Sequence, residues 1–320
     1  MDWFSALTGL NADDPATVLA GVKVDGATLI MPNGRRLIAG RLDIPALADF
    51  DSPPAGPRRL TLHEVVADAR ALHADPANAG AVFQVASQFN LLEMVGPHVT
   101  PDHGIARYAT DHTQGPACAM ACAAGTIWRN YLVPMGDQTD QSAMRQIDTL
   151  ADLGAALGNA SESLWQMRNG YVMPKLGGLA QIAARIAVAD RQALKGMLRI
   201  GVQRDTQVTL GDATHLVTQV YGSALPIAYF PAPLAVWQPF ARLVLEAAYE
   251  ATFAVAAQVS AQTGVKRVFL TRLGGGAFGN PPEWITDAIA MAASRFSACD
   301  LEVIMVSYGR ADPANRNLLH

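Results

Sequence analysis

The stretch from residue 266 to residue 309 decides the fold; it reads KRVFLTRLGGGAFGNPPEWITDAIAMAASRFSACDLEVIMVSYG. Its run Val268–Leu273 is rich in β-forming residues and predicts a buried strand, and Leu301–Val306 predicts a second strand. Between them, a cluster of glycines leads into the pair Pro281–Pro282, which sets φ for the start of a helix. A strand, a glycine loop, a helix and a strand in this order are typical of a loop that holds phosphate at a helix N-terminus.

Two other interpretations of the glycines compete with the phosphate loop. Gly274, Gly276 and Gly279 fit the GxGxxG spacing of dinucleotide-binding folds. However, Asp300 precedes the second strand, whereas the ribose-binding acid of those folds follows it, and too little chain remains for a Rossmann half-domain. A purely structural turn is less favoured, because three consecutive glycines and an aromatic residue stand just before a proline-started helix. We therefore predict that residues 274–279 bind a phosphate group.

Composition limits the classes of protein that this chain can belong to. Half of the 320 residues are hydrophobic and 16% are charged, which suits a large core and disagrees with disorder. A net charge of −4 without any basic run argues against nucleic-acid and membrane-surface binding. The acidic N-terminus is unlike a secretory signal, and no apolar run has membrane-spanning length. The three cysteines lack zinc spacing, so we expect reduced thiols in a cytoplasmic protein.

The N-terminal part differs in character from the rest of the chain. Two β-like runs flank Pro32-Asn33-Gly34, which is a strong hairpin signal, and the proline-rich SPPAGP at 52–57 resembles a linker. We therefore divide the chain into an N-terminal extension with a β-hairpin, residues 1–57, and a main domain, residues 58–320.

Strand and helix patterns alternate along the main domain. Thr61 and Glu64 form a capping-box pattern and predict a helix, and Ala81–Phe89 predicts a strand. Further helices are predicted over Asp140–Leu157 and over Ala235–Thr263, the latter apolar nearly all round. This alternation predicts an α/β fold, a three-layer sandwich of helices on both faces of a sheet.

The segment from Asn90 to Gly115 is the second informative region. It reads NLLEMVGPHVTPDHGIARYATDHTQG, has no helical or strand period, and is long for a loop inside a compact domain, which favours a functional loop. It carries three carboxylates, Glu93, Asp102 and Asp111. Its histidines have no ligand spacing, so we predict neither a metal nor a cofactor. The Ala-rich helix that follows directs its N-terminus at this loop.

These motifs together resemble the macrodomain family, in its branch related to poly(ADP-ribose) glycohydrolases. A strand that leads into a polar loop and a small-residue helix, followed late in the chain by GGGAFGNPP, is similar to that branch. The runs QFN, TPDHGIARY and DHTQGPACAM look more like the arginine-specific ADP-ribosylhydrolases of bacterial-effector type. The resemblance covers roughly residues 60–309. The chain departs from the family at Ser87, where an asparagine is usual, and it lacks the early triple glycine and the paired glutamates of the glycohydrolases.

The resemblance implies a macrodomain-like three-layer α/β/α sandwich with a mixed sheet, which binds ADP-ribose and ADP-ribosylated proteins. The glycine loop would bind the diphosphate through backbone N–H groups. Phe278 would lie against the distal ribose or, alternatively, plug the space under the loop, and Asn280 would bind a ribose hydroxyl or cap the next helix. The residues expected to contact substrate are Gln84, Ser87, Asn90, Gln114, Gly115, Gly274, Gly275, Gly276, Ala277, Phe278, Gly279 and Asn280.

The implied reaction is metal-independent hydrolysis of the N-glycosidic bond between ADP-ribose and an arginine side chain. An oxocarbenium-like state needs carboxylates near the anomeric carbon, and carboxylates also recognise guanidinium. Asp102 and Asp111 match the acidic positions of the family, and Glu93 is a third candidate; the alternative for each is a solvated loop charge or an Asx turn. Two other functions stay open: an ADP-ribose reader, which needs no clustered carboxylates, and a poly(ADP-ribose) glycohydrolase-like enzyme.

Overall fold

A computed structural model describes residues 2–319, and a seven-stranded mixed sheet forms its centre. The strands of the described part are β1 (Lys23–Asp25), β2 (Thr28–Ile30), β3 (Arg36–Ile38), β4 (Arg41–Asp43), β5 (Thr61–Val66), β6 (Val82–Ala86), β7 (Trp165–Arg168), β8 (Tyr171–Pro174), β9 (Gly201–Gln207), β10 (Leu216–Gly222), β11 (Arg267–Leu270) and β12 (Glu302–Ser307). The α-helices are α1 (Trp3–Thr8), α2 (Pro15–Gly21), α3 (Ala69–Ala74), α4 (Gln114–Ala121), α5 (Ala123–Ile127), α6 (Ala151–Ala156), α7 (Gly178–Val188), α8 (Arg191–Gly196), α9 (Leu234–Thr263) and α10 (Pro282–Arg295).

The main sheet has the strand order β4-β9-β10-β6-β11-β12-β5. The five strands from β10 to β5 run parallel to one another, whereas β4, β9 and β10 pair antiparallel. Because carboxyl ends of neighbouring parallel strands meet at one edge of a sheet, the residues that follow β5, β6, β10, β11 and β12 come together there. The strands predicted near residues 82, 268 and 301 are confirmed, and they are neighbours in the sheet.

Helices cover both faces of the sheet, which confirms the predicted three-layer α/β sandwich with a mixed sheet. On one face α9 and α10 pack with α7 and α8 around the largest apolar cluster. The 30-residue helix α9 matches the predicted span, and its middle is closed off from solvent on all sides, as Ala247, Ala248 and Tyr249 illustrate. On the other face α3 packs on side chains such as Phe83 and Phe269 through Leu72, and α4 and α5 contact β6 and β9. No helix between residues 2 and 319 combines the length and apolarity needed to cross a bilayer.

The N-terminal residues form the predicted hairpin, since β2 pairs antiparallel with β3 on either side of the turn at Gly34. Strand β4, however, belongs to the main sheet as its edge strand beside β9. Phe4, Leu29 and Leu37 share a core cluster with Ile105 and Tyr131, so this segment packs on the long loop and the helix after it. The division of the chain at residue 57 into two domains stays a prediction.

One predicted helix is wrong, and another is much shorter than predicted. The capping-box pattern at Thr61 lies in strand β5, because residues 61–66 form a six-residue parallel ladder with β12, and a helix begins only at Ala69. Over Asp140–Leu157 only residues 151–156 are α-helical. The preceding residues follow an irregular path because Gln141 is buried and its amide donates to the carbonyls of Asn90 and Arg129.

Candidate functional site

Two adjoining cavities lie at the carboxyl edge of the parallel strands. The first, which we call the α3 cavity, has a volume of about 610 Å³ and lies between the start of α3 and the segment Tyr308–Pro313. The second, the glycine-loop cavity, has a volume of about 700 Å³ and lies between the long loop and residues 273–278. Asp111, Gln114 and Gly276 line both cavities, so the two meet at these residues. Volumes of this size are typical of small-molecule sites.

The glycine loop is held in a tight shape that leaves several backbone donors free. The N–H groups of Gly275, Gly279 and Asn280 donate to the carbonyls of Arg272, Gly276 and Gly274. Those of Gly276, Ala277 and Phe278 donate to no acceptor in the described part of the chain. Gly274 and Gly279 have φ of 72°, which favours glycine. Successive unpaired N–H groups in such a turn suit an anion.

Gly275, Gly279 and Asn280 support the loop from behind and do not line the cavity. Added Cβ atoms at the two glycines would lie 3.2 Å from Ile285 and 3.0 Å from Ala228. The amide of Asn280 is buried and donates to the carbonyl of Leu225 at 2.9 Å, so it ties the loop to the end of the β10 segment. It makes no capping bond to α10 either. The direct substrate contacts predicted for these three residues are therefore corrected to structural roles.

Phe278 lies in the wall of the glycine-loop cavity, within a cluster of three aromatic rings. Its ring centroid is 5.4 Å from that of Tyr171 and 5.9 Å from that of Tyr229, and both tyrosines line the same cavity. The side chain also packs on the main core. The packing on the core agrees with the apolar plug under the loop, and the contact with a distal ribose stays a prediction.

Glu93 is the buried carboxyl group of the site. It lines the glycine-loop cavity, yet its side chain is only 1% exposed. One oxygen, Oε1, lies 3.4 Å from Nη2 of Arg129, and Oε2 has no hydrogen-bond partner between residues 2 and 319. Burial raises the pKa of Glu93 to about 7, although the Arg129 charge and hydrogen bonding act in the opposite direction. A carboxyl group with such a pKa can both give and take a proton near neutral pH.

Asp111 and Asp102 lie in different surroundings. Asp111 borders both cavities just before α4, and its Oδ1 accepts hydrogen bonds from the N–H and hydroxyl of Thr113. Asp102 lies outside both cavities on an exposed 3-10 turn, where its Oδ2 accepts from the N–H of Ala143 at 2.9 Å. The prediction that Asp102 acts beside Asp111 is thus corrected, because its carboxylate is used to fix another loop.

The residues predicted near the end of β6 divide into cavity walls and supports. Ser87, Gln114 and Gly115 line the glycine-loop cavity. The Gln114 amide also bridges to β6, since it accepts from the N–H of Ala86 and donates to the carbonyl of Gln84. A Cβ at Gly115 would lie 2.1 Å from the Ala86 carbonyl oxygen, so glycine permits the N-terminus of α4 to touch the strand end.

Gln84 and Asn90 point into the protein interior, which corrects their predicted contact with substrate. Gln84 donates to the hydroxyl of Thr252 at 3.0 Å. Asn90 is fully buried; its Oδ1 accepts from the N–H of Leu92 and its Nδ2 donates to Gln146. Both side chains satisfy neighbouring polar groups, so they shape the site indirectly.

Several residues of the site were not predicted from the sequence. Tyr171 and Tyr229 line the glycine-loop cavity, and Tyr308, which is 82% exposed, borders the α3 cavity. Arg129 lies behind Glu93 without any solvent exposure. The only signal for Arg129 was a single charge within the apolar run ACAMACAAGTIWRNYL. Among residues 2–319, no three His, Cys, Asp or Glu side chains are grouped to hold a metal ion.

Comparison with known proteins gives matches among solved structures. No protein-family model matches the chain, and no curated protein matches it. A poly(ADP-ribose) glycohydrolase from Thermomonospora curvata, bound to the inhibitor ADP-HPD, matches with a TM-score of 0.45 and 14% identity over 95% of this chain and 94% of its own. A point mutant of the enzyme from Deinococcus radiodurans, in complex with ADP-ribose, matches with a TM-score of 0.45 and 12% identity over 87% and 90%. Since the scores and identities are low, we assign neither activity nor substrate from these similarities.

Proposed function

We propose that this protein is an ADP-ribosylhydrolase that removes ADP-ribose from arginine side chains of modified proteins. The observation that carries the proposal is the meeting of two features in one cavity. The N–H groups of residues 276–278, which find no acceptor among the described residues, can bind a diphosphate, and Glu93 offers a buried carboxyl group with one oxygen that no described residue hydrogen-bonds. ADP-ribose is the ligand that the sequence resemblance implies, and it contains both a diphosphate and a reactive ribose.

The two cavities suit the two ends of this ligand. The exposed ring of Tyr308 offers a stacking surface for a planar base in the α3 cavity. The diphosphate would then lie at Gly276, which borders both cavities, and the distal ribose would lie beside Phe278 and Ser87. This placement brings the anomeric carbon to the cavity that contains Glu93.

The carboxyl groups can carry out hydrolysis as a pair. Protonated Glu93 gives its proton to the guanidine nitrogen as the bond from that nitrogen to the anomeric carbon breaks. The carboxylate of Asp111 stabilises positive charge on the ribose and takes a proton from the attacking water. The products are free ADP-ribose and an arginine guanidinium, and proton return from Asp111 to Glu93 through solvent completes the cycle.

Arginine is the favoured linkage because a guanidinium is planar and cationic. Carboxylates bind such a group strongly and with direction. A serine linkage presents no cation, and a glutamate linkage would leave as a carboxylate that Asp111 repels. We therefore expect ADP-ribose to be released fastest from arginine, more slowly from serine and most slowly from glutamate.

The test is a time course of ADP-ribose release from proteins modified at arginine, serine or glutamate and from poly(ADP-ribose), with and without EDTA. We expect release from arginine in both buffers, with a loss of about a hundredfold or more in Glu93→Gln and Asp111→Asn. The matched control is Asp102→Asn, a loop carboxylate outside the cavities, which should keep the wild-type rate. Faster cleavage of poly(ADP-ribose) or the serine linkage would contradict arginine specificity. Binding of ADP-ribose without any release would instead identify a reader.

A further inference from the structure

We propose that Arg129 is a positioning residue for Glu93: it fixes the turn that brings Glu93 to the cavity and places a positive charge against the Glu93 carboxyl group. This inference rests on the proposed function, in which Glu93 transfers protons. Arg129 itself borders neither cavity, so it would act through Glu93 and not on the substrate.

Arg129 is placed by an irregular piece of helix. After α5, residues 128–132 form a single π-helical turn, a distortion that often occurs at functional sites. The side chain is fully buried, and its guanidinium lies 3.6 Å from the centroid of the Tyr221 ring. A buried guanidinium is costly unless its donors and its charge find partners, so the partners of Arg129 decide what this residue does.

The first partner of Arg129 is the backbone of the turn before Glu93. Its Nε donates to the carbonyl of Leu91 at 3.0 Å. Leu91 has a φ of 63°, a left-handed conformation that is strained for a leucine. A Cβ at Gly201 would lie 2.7 Å from the Leu91 side chain, so that glycine makes room for it. The hydrogen bond from Arg129 therefore helps to hold a strained turn two residues from the carboxyl group.

The second partner of Arg129 is the carboxyl group of Glu93. Nη2 lies 3.4 Å from Oε1 and also donates to the hydroxyl of Thr126 at 3.2 Å. Nη1 of Arg129 and Oε2 of Glu93 have no partner within residues 2–319. The contact is single and long instead of bidentate, so Arg129 leaves Oε2, which is itself buried, free of a charged partner.

Within the described residues, the buried titratable groups around Glu93 are Tyr108, Cys118 and Tyr221, while Asp111, His112 and Arg107 line the same cavity as its carboxyl group. The three buried groups come from different elements: the long loop, α4 and β10. Burial raises the pKa of all three well above their ordinary values, so they are neutral near pH 7. The charge of Arg129 is consequently the largest effect that opposes the rise in the pKa of Glu93 on burial, and hydrogen bonding from Tyr108 and Arg129 adds to it.

The experiment follows the protonated carboxyl group of Glu93 directly, by infrared difference spectroscopy between pH 5 and 9. The band assigned to Glu93 is the one absent from Glu93→Gln. In Arg129→Met the midpoint of this band should move up by about 1–3 pH units, because the opposing charge is gone. The same limb of the kcat profile should move with it, while the Kd for ADP-ribose stays within about twofold of wild type.

The matched control is Lys195→Met, which removes another buried cation, paired with Glu250 on the other face of the sheet. It should lower stability but leave the Glu93 midpoint unchanged. An unmoved or lowered midpoint in Arg129→Met, or an equal shift in the control, would overturn the proposal.

If Arg129→Met does not fold, Arg129→Lys provides the test. A lysine keeps the charge but cannot bind Leu91 and Glu93 together, so a wild-type kcat would overturn the positioning role. If wild-type protein releases no ADP-ribose, the proposed function fails, whereas the infrared titration still tests Arg129.

Discussion

The pKa of Glu93 is raised because its carboxyl group is buried next to a part of the chain that is distant in sequence. Its carboxyl group is nearly inaccessible, yet it borders the glycine-loop cavity, and its only charged contact in the described part of the chain is Arg129. Burial without a second strong partner favours the neutral form, which explains a pKa of about 7. The same shift must appear in the pH dependence of stability.

We predict that wild-type protein loses stability relative to Glu93→Gln as the pH rises through neutrality. The folded pKa of about 7 lies above the ordinary value of 4.5, so the folded state binds the proton more tightly than the unfolded state. The stabilisation is complete below pH 4.5 and is lost as the pH rises through 7. Its size is about 3 kcal/mol, since one pKa unit corresponds to 1.36 kcal/mol. Urea unfolding at pH 4.5, 6 and 8 measures it, and parallel profiles for the two proteins would contradict the shift.

At the residue scale, the sequence could predict the kind of side chains but not their surroundings. Glu93, Asp102 and Asp111 were all recognised as candidates because they share one loop. Their separation into a buried acid, a fixed surface charge and a cavity carboxylate depends on partners elsewhere in the chain. Arg129, for example, stands 36 residues after Glu93, and no local pattern connects the two.

The glycine loop contains enclosed and open glycine positions within one short element. Gly274 is enclosed, because an added Cβ would lie 2.5 Å from Ala224 and from Asn280. Gly276 is open, with no atom within 4 Å of such a Cβ, and it faces both cavities. Identical residues two positions apart should therefore respond in opposite ways to substitution.

We predict that Gly276→Val weakens ADP-ribose binding at least tenfold while stability changes by about 0.5 kcal/mol or less. The new side chain has space in the free protein but occupies the place of the ligand. The matched variant Gly274→Ala should lower stability by about 1–3 kcal/mol, because it adds a clash at a φ of 72°. Calorimetric titration and thermal unfolding measure the two effects. Full affinity in Gly276→Val would show that the loop does not bind the ligand.

Glu64 of strand β5 accepts hydrogen bonds from the segment 307–315, part of which lines the α3 cavity. Its Oε1 accepts from the hydroxyl of Ser307, the N–H of Asp312 and the amide of Asn315. Burial would raise the pKa of Glu64, but these hydrogen bonds and the nearby Arg272 lower it below its ordinary value. One carboxylate on an edge strand thus holds the segment that closes this cavity.

We predict that Glu64→Ala lowers stability by about 1–3 kcal/mol, because three donors lose their acceptor. Glu64→Gln should lose less, since its carbonyl oxygen can still accept. With a depressed folded pKa, the contribution of Glu64 is present above pH 4.5 and fades as the pH falls through the folded value. The difference between wild type and Glu64→Gln should therefore shrink on acidification. A constant difference between pH 7 and pH 3 would refute this assignment.

Elements encoded by local sequence were predictable, and those fixed by distant partners were not. The strands near residues 82 and 268 and the long helix α9 carry strong local signals and are confirmed, as is the position of the glycine loop between a strand and a helix. Residues 61–66 were mistaken for a helix because their capping pattern is local, whereas their partner β12 lies about 240 residues further along the chain. Burial of Gln141 similarly decides the path before α6.

At the scale of the whole molecule, the site depends on five parallel strands that end at one edge. The residues that follow β5 and β12 form the α3 cavity, and those that follow β6 and β10 form the glycine-loop cavity. The segment after β11 borders both, through Thr271 and Gly276. A ligand with two dissimilar ends joined by a diphosphate matches this arrangement, and its two halves should bind separately.

We predict that ADP-ribose at a hundredfold excess over its Kd stabilises the protein by about 2.7 kcal/mol, and that AMP and ribose 5-phosphate each give part of this effect. Tyr308→Ala should reduce the response to AMP but not to ribose 5-phosphate, because this ring borders only the α3 cavity. Phe278→Ala should do the reverse, since its ring lies in the glycine-loop cavity. Thermal unfolding with each ligand, at pH 7 and constant salt, separates the two responses. If both variants lose both responses equally, the cavities do not bind separate halves of one ligand, and the placement of the reactive ribose beside Glu93 loses its support.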